Sequence, residues 1–204
     1  MKTDRYFITG ISTEVGKTIA AAIVTEALQA DYWKPIQAGE LDNSDAHKVE
    51  RLLSNKISKI HPNSYALKTP MSPHAAADIE CVTISLNTIK APSTNNKLVI
   101  EGAGGLLVPL NDTTTILDII DPSYKVILVS RHYLGSINHT LLSLHLLKEK
   151  GMDVSVIFSG NAHPSTENII KKMTGVHVIG RIEEEPYFDQ NVVKEYANRF
   201  KAFL

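Results

Sequence analysis

Residues 10–18 carry the side chains and the spacing that bind a phosphate chain, because two glycines bracket a short loop that ends in lysine and threonine. Backbone N–H groups of such a loop converge on phosphate oxygens, and the N-terminus of the following helix adds a favourable dipole. Lys17 would reach the β- and γ-phosphates of a nucleotide, and the hydroxyl of Thr18 would bind Mg²⁺. The spacing of Gly10, Gly16, Lys17 and Thr18 therefore predicts a P-loop.

This loop is one residue longer than the usual P-loop. Five residues, 11–15, separate Gly10 from Gly16, whereas the usual pattern has four. The alternative is an ordinary glycine-bounded turn with a chance Gly-Lys-Thr sequence. An apolar strand at 6–8 precedes the loop and an apolar helix from Lys17 follows it, as a P-loop requires, and this context favours the phosphate site.

Short apolar runs alternate with helical segments along the chain, and this alternation predicts an α/β fold. Continuously apolar strands are typical of a mostly parallel central sheet with helices on both faces, here in a single P-loop domain over residues 1–204. The predicted strands cover residues 6–8, 32–36, 97–102, 125–130, 153–158 and 176–180. Within the second of these, Pro35 indicates either the end of the strand or an edge position. The predicted helices cover residues 17–30, 43–54 with Asp42 as N-cap, 75–79, 83–89, 113–120, 136–150, 164–173 and 191–203.

Three charged residues follow predicted strands, at the edge where parallel sheets bind ligands. Glu101 ends an apolar strand and is followed by a glycine-rich segment, 102–105, that lets the backbone approach a ligand. It is a candidate second Mg²⁺-directed group, although a solvated acid at a strand end is the alternative. From its local sequence, Asp45 is better explained as an acid that complements a helix dipole than as a site residue. Lys34 is ambiguous, since most lysines are surface charge, but Pro35 would hold it rigidly at this edge.

The composition excludes several classes of function. A net charge of −1 over 204 residues gives no sign of a nucleic-acid or membrane surface. The single cysteine, Cys81, can form no internal disulfide and no cysteine-rich zinc site, and the eight histidines lack metal-ligand spacing. The N-terminus does not resemble a signal peptide, and no apolar run is long enough to span a membrane. We therefore expect a cytoplasmic protein without nucleic-acid or membrane partners.

Six segments together resemble the dethiobiotin synthetase family, in order and spacing, over almost the whole chain. These segments are Thr13-Glu-Val-Gly-Lys-Thr18, Lys34-Pro-Ile-Gln-Ala-Gly39, Asn43-Ser-Asp45, Ser72-Pro-His74, Glu101-Gly-Ala-Gly-Gly105 and Leu134-Gly-Ser-Ile-Asn138. The longer loop is itself specific to that family and its close relatives. The resemblance implies an ATP-dependent cyclo-ligase of biotin synthesis that uses 7,8-diaminononanoate, CO₂ and ATP with Mg²⁺.

The resemblance also implies roles for individual residues. Lys17 and Lys34 would stabilise charge on the transferring phosphate and the carbamate, and Thr13 would lie beside the carbamate. The Mg²⁺ ligands would be Thr18, Asp45 and Glu101. The ATP-binding set would comprise Glu14, Val15, Gly16, Lys17, Thr18, Asp45, Glu101 and, at the adenine, Asn161. The substrate-binding set would comprise Thr13, Lys34, Ala38, Gly104 and, contributed by the partner subunit to hold the substrate carboxylate, Ser136 and Asn138. A homodimer is therefore expected.

Two departures from the family pattern bear on specificity. Ala38 stands where the family commonly has serine or threonine, which removes a hydroxyl worth on the order of 1 kcal/mol as a neutral hydrogen bond. Glu183 stands where the family often has proline, and it begins an acidic run, 183–185, expected near the nucleotide base.

Other functions are compatible with parts of the sequence. A P-loop switch ATPase of the partitioning or positioning type shares the fold, but such proteins usually carry a second lysine early in the loop and residues 11–14 have none. An amide-forming synthetase acting on a larger acid would carry a glutaminase domain with a cysteine nucleophile, a role that Cys81 does not fit. A nucleotide-binding module without chemistry would not account for Lys34 and Glu101.

Overall fold

The computed structural model describes residues 4–204 of the chain. Its strands over that range are β1 (Arg5–Gly10), β2 (Asp31–Trp33), β3 (Ile36–Ala38), β4 (Ile60–His61), β5 (Tyr65–Leu67), β6 (Leu98–Glu101), β7 (Lys125–Arg131), β8 (Asp153–Ser159) and β9 (His177–Ile182). Among these residues, seven strands form a central sheet in the order β4-β2-β6-β1-β7-β8-β9, and every neighbouring pair is parallel. β3 and β5 form a separate parallel pair.

Helices cover both faces of the central sheet, as the alternating sequence predicts. They are α1 (Lys17–Leu28), α2 (Asp45–Leu52), α3 (Pro73–Ile79), α4 (Ser136–Glu149), α5 (Pro164–Thr174) and α6 (Gln190–Phe200). Tyr6 and Ile8 of β1 pack in a core with α1, α2 and α6. Phe7, between them in sequence, packs on the opposite face with α3, α4 and α5. This alternation is the period of a strand buried on both sides, and the predicted fold class is confirmed.

The predicted strand at 32–36 is wrong in its continuity. β2 ends at Trp33, and the chain resumes extended pairing at Ile36 in β3, which pairs with β5 and not with the central sheet. The break falls at Pro35, because proline has no backbone N–H to donate to the hydrogen bonds between paired strands. The break leaves Lys34 at the carboxyl end of β2.

Two predicted helices are also wrong, because side chains bind the backbone that a helix would need. Residues 83–89 form turns, and one backbone N–H of this segment donates to the hydroxyl of Tyr65 (3.0 Å). Residues 113–120 contain only a short 3₁₀ segment, Ile116–Ile119. Before it, the Asn111 side chain accepts the N–H groups of two threonines at 3.0 Å each, which is a turn and competes with a helix.

Within residues 4–204, none of the helices combines the length and the apolar character that crossing a bilayer would require.

Candidate active site

The predicted phosphate loop joins the carboxyl end of β1 to the first turn of α1. Gly16 has φ 92°, and a Cβ there would lie 2.9 Å from the Ser159 hydroxyl oxygen, so this position requires glycine on two grounds. The Lys17 side chain turns back over the loop, and its Nζ donates to the Ser12 carbonyl at 2.8 Å. Val15 is buried under the loop, while Thr13 and Glu14 face solvent. The loop thus presents its backbone and one cation at the sheet edge.

Lys17 is held in a partly desolvated state. Its side chain is buried, and this burial lowers the pKa of its ammonium from 10.5 to about 8. The Glu101 carboxylate opposes the effect, while the positive charge of Lys34 reinforces it. An ammonium in this situation gains from any negative charge placed beside it, as a nucleotide phosphate would be.

Glu101 is the centre of a buried polar group at the end of β6. The Thr18 hydroxyl donates to Glu101 Oε1 at 2.9 Å, and Lys34 Nζ lies 3.0 Å from the same oxygen. The Tyr32 hydroxyl donates to the other oxygen, Oε2, at 2.7 Å. Burial, together with the negative charge of Glu101, raises the pKa of the Tyr32 phenol well above its usual value, so the phenol remains a donor.

Lys34 connects Glu101 with the second predicted acid. Its Nζ lies 2.6 Å from Asp45 Oδ2 and 3.0 Å from Glu101 Oε1. Burial by itself lowers the pKa of the Lys34 ammonium, but the carboxylates of Glu101 and Asp45 outweigh this effect and raise the pKa above its ordinary value. Burial likewise opposes ionisation of Asp45, yet Lys34 and then Lys48 hold the pKa of that carboxyl below its ordinary value. The buried charges therefore compensate one another.

Strand register explains why Lys34 and Glu101 meet. β2 and β6 run in parallel with Tyr32 level with Val99. Side chains two residues apart point to the same face of a strand, so Tyr32, Lys34 and Glu101 share the face that α1 covers. Thr18 lies in the first turn of that helix and reaches the same point.

The helix that carries Asp45 into the site, α2, begins at a different residue from the one that the sequence predicted. The N-cap of α2 is Ser44, whose side chain accepts from the His47 N–H, and Asp45 is the first helical residue. The prediction of Asp42 as N-cap and Asp45 as third helical residue is therefore wrong. The Asp45 N–H donates to Gln37 Oε1 at 3.2 Å, which fixes the start of α2 against β3.

The grouped oxygens fit Mg²⁺, the metal that the sequence predicts. Thr18, Asp45 and Glu101 offer a hydroxyl and two carboxylates, the hard oxygen ligands that Mg²⁺ prefers. Over residues 4–204, no group of three or more His, Cys, Asp or Glu side chains is placed to hold a metal ion. A Mg²⁺ ion bound by Thr18, Asp45 and Glu101 would take its remaining ligands from phosphates and water.

The glycine-rich segment after β6 lies against the phosphate loop. A Cβ on Gly104 would lie 3.7 Å from the Thr13 methyl group and only 2.7 Å from Val108, and one on Gly105 would lie 3.3 Å from the Gly10 carbonyl. Thr13 and Gly104 are therefore neighbours. Ala38, the remaining predicted substrate contact on this side, lies half-buried at the end of β3.

Asn161 follows β8 on the same edge of the sheet and is exposed. Its side-chain amide donates to Glu184 Oε2 at 3.3 Å, and Arg131 donates to the other oxygen of that carboxylate at 3.0 Å. Of the predicted acidic run 183–185, Glu184 is thus the member that contacts Asn161. Glu185 instead accepts from Tyr196 at 2.6 Å.

Ser136 and Asn138 lie apart from the residues described above. Ser136 begins α4 and is buried, whereas Asn138 is exposed in the first turn. Among the described residues, no hydrogen bond or ion pair joins either side chain to Lys17, Lys34 or Glu101.

Sequence reasoning missed two polar residues of this group. Tyr32 reads as one more apolar strand residue, and its hydroxyl becomes informative only through its position two residues before Lys34 on the same strand face. Gln37 is buried and also donates to the Gly39 carbonyl at 3.0 Å; nothing in its sequence context indicates this.

The chain is similar to several known proteins over nearly its whole length. A family model described as an AAA domain matches residues 4–192. The ATP-dependent dethiobiotin synthetase BioD of Christiangramia forsetii is 64% identical over 200 residues, covering 98% of this chain and 97% of that protein. The protein of the same name from Cytophaga hutchinsonii is 51% identical, covering 95% of each.

Solved structures share the fold at much lower identity. A putative plasmid partition protein from Borrelia burgdorferi bound to AMPPNP has a TM-score of 0.61 at 15% identity, covering 100% of this chain and 98% of that one. The MinC:MinD cell division protein complex of Aquifex aeolicus gives a TM-score of 0.59 at 14% identity, covering 98% and 96%. These likenesses concern the P-loop fold alone.

Proposed function

Because the chain belongs to the AAA domain family matched over residues 4–192 and to the ATP-dependent dethiobiotin synthetases, we propose that it converts 7,8-diaminononanoate, CO₂ and ATP into dethiobiotin, ADP and phosphate. The observation that carries this proposal is the buried group of Lys34, Asp45 and Glu101 beside the phosphate loop. It combines cations for a transferring phosphoryl group with oxygens for Mg²⁺.

The proposed chemistry has three bond-forming steps. One amine of the substrate adds to CO₂ and loses a proton, which gives a carbamate. A carbamate oxygen then attacks the γ-phosphorus, the bond to the β-phosphate oxygen breaks, and ADP leaves. The second amine attacks the carbamoyl carbon of this mixed anhydride, loses its proton and expels phosphate, which closes the ureido ring. Phosphoryl transfer depends on positioning and charge neutralisation.

Lys17 and Lys34 have complementary parts in this proposal. Lys17 extends over the phosphate loop and neutralises charge that develops on the β- and γ-phosphate oxygens. Lys34 is kept positively charged by Asp45 and Glu101 and faces the carbamate. Thr18, Asp45 and Glu101 would hold Mg²⁺, which would neutralise phosphate charge when bound. Thr13 lies beside the carbamate, next to Gly104.

The remaining predicted contacts are part of the same proposal. The loop residues Glu14, Val15 and Gly16 contact the ATP phosphates, Asn161 contacts adenine, and Ala38 lines the substrate site. Ser136 and Asn138 bind the substrate carboxylate at the N-terminus of α4, where the helix dipole favours an anion.

We assign Ser136 and Asn138 to the site of a second copy of the chain, so the proposed enzyme is a homodimer. Support comes from the surface around them, since Leu134 is fully exposed and Leu142 is 60% exposed. Apolar side chains grouped on a surface are typical of an interface.

The product assay tests the function directly. Protein incubated with diaminononanoate, bicarbonate, ATP and Mg²⁺ should form a ureido product in step with ADP. Lys17→Ala should abolish ring closure and leave the circular dichroism spectrum intact, because the phosphate charge loses its cation. Lys125→Ala, which removes a half-buried lysine at the amino end of β7, the end of the strand away from the phosphate loop, is the control. Wild-type turnover in Lys17→Ala would refute the phosphate role, and ATP hydrolysis without any ureido product would refute the ligase.

A further inference from the structure

Tyr32 makes a buried hydrogen bond, and the reaction steps proposed above assign no role to it. The Tyr32 side chain is 0% exposed and Glu101 is 1% exposed, and the phenol O–H donates to Glu101 Oε2 at 2.7 Å. This is among the short side-chain hydrogen bonds of the fold, and it involves an acid proposed to hold Mg²⁺.

Because of this bond, the two oxygens of the Glu101 carboxylate have different hydrogen-bond donors. Oε1 accepts from Thr18 and Lys34 at 2.9 and 3.0 Å, so it faces the phosphate loop. Oε2 is occupied by the Tyr32 hydroxyl on the opposite side. Because a half-turn of a carboxylate merely exchanges two equivalent oxygens, the Tyr32 donor does not select one of them. It restricts the angle of the carboxylate plane, so that one oxygen stays directed at Thr18 and Lys34.

We propose that Tyr32 is a positioning residue for the reaction, which fixes the rotation of the Glu101 carboxylate so that Oε1 is directed at Mg²⁺ and Lys34. The inference rests on the proposed function. Tyr32 acts through Glu101, because its hydroxyl is enclosed in the core that α1 and α6 form with the sheet. Groups that orient a metal ligand in this way typically contribute 10–100-fold to metal affinity or activity.

The test is the Mg²⁺ requirement of nucleotide binding in Tyr32→Phe. The ring remains and only the hydroxyl is lost, so Glu101 keeps its Lys34 and Thr18 contacts and loses the donor on its other oxygen, which leaves the carboxylate plane less restricted. We expect the Mg²⁺ concentration that gives half-maximal ADP binding to rise about tenfold. ADP binding in the presence of EDTA should not change, because the phosphate loop is intact.

Tyr196→Phe is the matched control. Tyr196 is 1% exposed in the same core, and its hydroxyl donates to the carboxylate of Glu185 at 2.6 Å, away from the predicted Mg²⁺ ligands. Both variants should lower the melting temperature, but only Tyr32→Phe should shift the Mg²⁺ requirement. An unchanged requirement in Tyr32→Phe, or equal shifts in both variants, would overturn the proposal.

A second comparison separates an effect of Tyr32 through Glu101 from a general effect on the core. Glu101→Gln raises the Mg²⁺ requirement by itself, and adding Tyr32→Phe to it should raise that requirement no further, because the carboxylate that Tyr32 orients is already gone. A further rise equal to that of Tyr32→Phe in the wild-type background would overturn the proposal. These readouts use Mg²⁺ and ADP alone, so they give the same answer if diaminononanoate proves not to be the substrate.

Discussion

At the scale of single residues, the proposed chemistry depends on two buried lysines, Lys17 and Lys34. Lys34 keeps its charge because two carboxylates contact it within 3.0 Å. Among residues 4–204, Lys17 has no such ion pair; its Nζ donates to the neutral Ser12 carbonyl, and its pKa is about 8. The ammonium groups of Lys17 and Lys34 therefore differ in how much electrostatic stabilisation they gain when a nucleotide binds at the proposed phosphate site.

Nucleotide binding should bring a proton to Lys17 under alkaline conditions. In the free protein the pKa of Lys17 is about 8 instead of 10.5, so the amine is largely neutral at pH 9. Phosphate oxygens stabilise the ammonium and raise its pKa, so binding takes up a proton and affinity falls as pH rises above about 8. Titration calorimetry at pH 9 in two buffers of different ionisation enthalpy should give different apparent heats of ADP binding.

Lys17→Arg is the comparison for this titration, because a guanidinium stays charged over the whole range. It should remove the proton uptake at pH 9 while ADP still binds. Identical heats in both buffers for the wild-type protein would show that Lys17 is already charged in the free loop, contrary to the effect of its burial.

The residues themselves were predictable to different degrees, for physical reasons. Lys17, Thr18 and Glu101 follow from local patterns, namely the glycine-bounded loop and an acid at the tip of an apolar strand. Asp45 does not, since locally it is only a helix-start acid; the resemblance selected it, and the structure brings it 2.6 Å from Lys34. Tyr32 was missed because the use of its hydroxyl depends on strand register, which the sequence does not reveal.

At the scale of elements, a single acid ties α1 to the end of α2. Glu26 of α1 is buried, and its carboxylate accepts from the backbone and the hydroxyl of Ser54 at 3.0 and 2.6 Å. It also accepts from the Asn55 backbone and side-chain amides at 3.3 and 2.7 Å. Because α1 begins with Lys17 and α2 with Asp45, this clamp fixes the two helices whose first turns reach the site.

Loss of the Glu26 carboxylate should destabilise the fold in a pH-dependent way. Glu26→Gln places an amide donor against donors, and we expect a loss of about 1–3 kcal/mol in the free energy of unfolding at pH 7. Burial opposes ionisation of Glu26, but the Ser54 and Asn55 donors outweigh it and hold its pKa below 4.5. The wild-type advantage is therefore present above pH 4.5 and is lost as pH falls through the lowered pKa.

Urea unfolding at pH 7 and at pH 3.5 measures both parts of this prediction. Glu50→Gln, at an exposed position on α2, is the control and should change stability by less than about 0.5 kcal/mol at either pH. A deficit for Glu26→Gln that is as large at pH 3.5 as at pH 7 would contradict the role assigned to the carboxylate charge.

Elements with a strong pattern were predictable and those decided by tertiary contacts were not. β7 and β8 are largely apolar runs and lie where they were expected. Pro35 correctly indicated a strand end or an edge, but the strand predicted through residue 36 and the helix predicted over 83–89 were wrong, because the pairing of β3 with β5 and the hydroxyl of Tyr65 decide these segments. Such contacts override local propensity.

At the scale of the whole molecule, the sheet order distributes the predicted site over two regions. β2, β6 and β1 are neighbours and carry Lys34, Glu101 and the phosphate loop, whereas β7 and β8 lead to α4 and to Asn161. The first turn of α4 carries Ser136 and Asn138, and its surroundings include the fully exposed Leu134. In the proposed homodimer, a second copy brings its own α4 to the phosphate site of the first one.

Mixing two inactive variants tests whether one site uses two subunits. Lys17→Ala and Asn138→Ala should each have little activity, because one lacks the phosphate cation and the other the carboxylate contact. In a heterodimer, one of the two sites combines an intact Lys17 with an intact Asn138 from the other chain. Random pairing after co-refolding should therefore restore about one quarter of wild-type activity, measured as ureido product at equal total protein.

Mixing Lys17→Ala with Thr18→Ala, whose changes fall in the same phosphate loop, should restore nothing. If the first mixture stays as inactive as the second while sedimentation shows dimers, Asn138 does not serve the partner's site, and the two-subunit site is refuted.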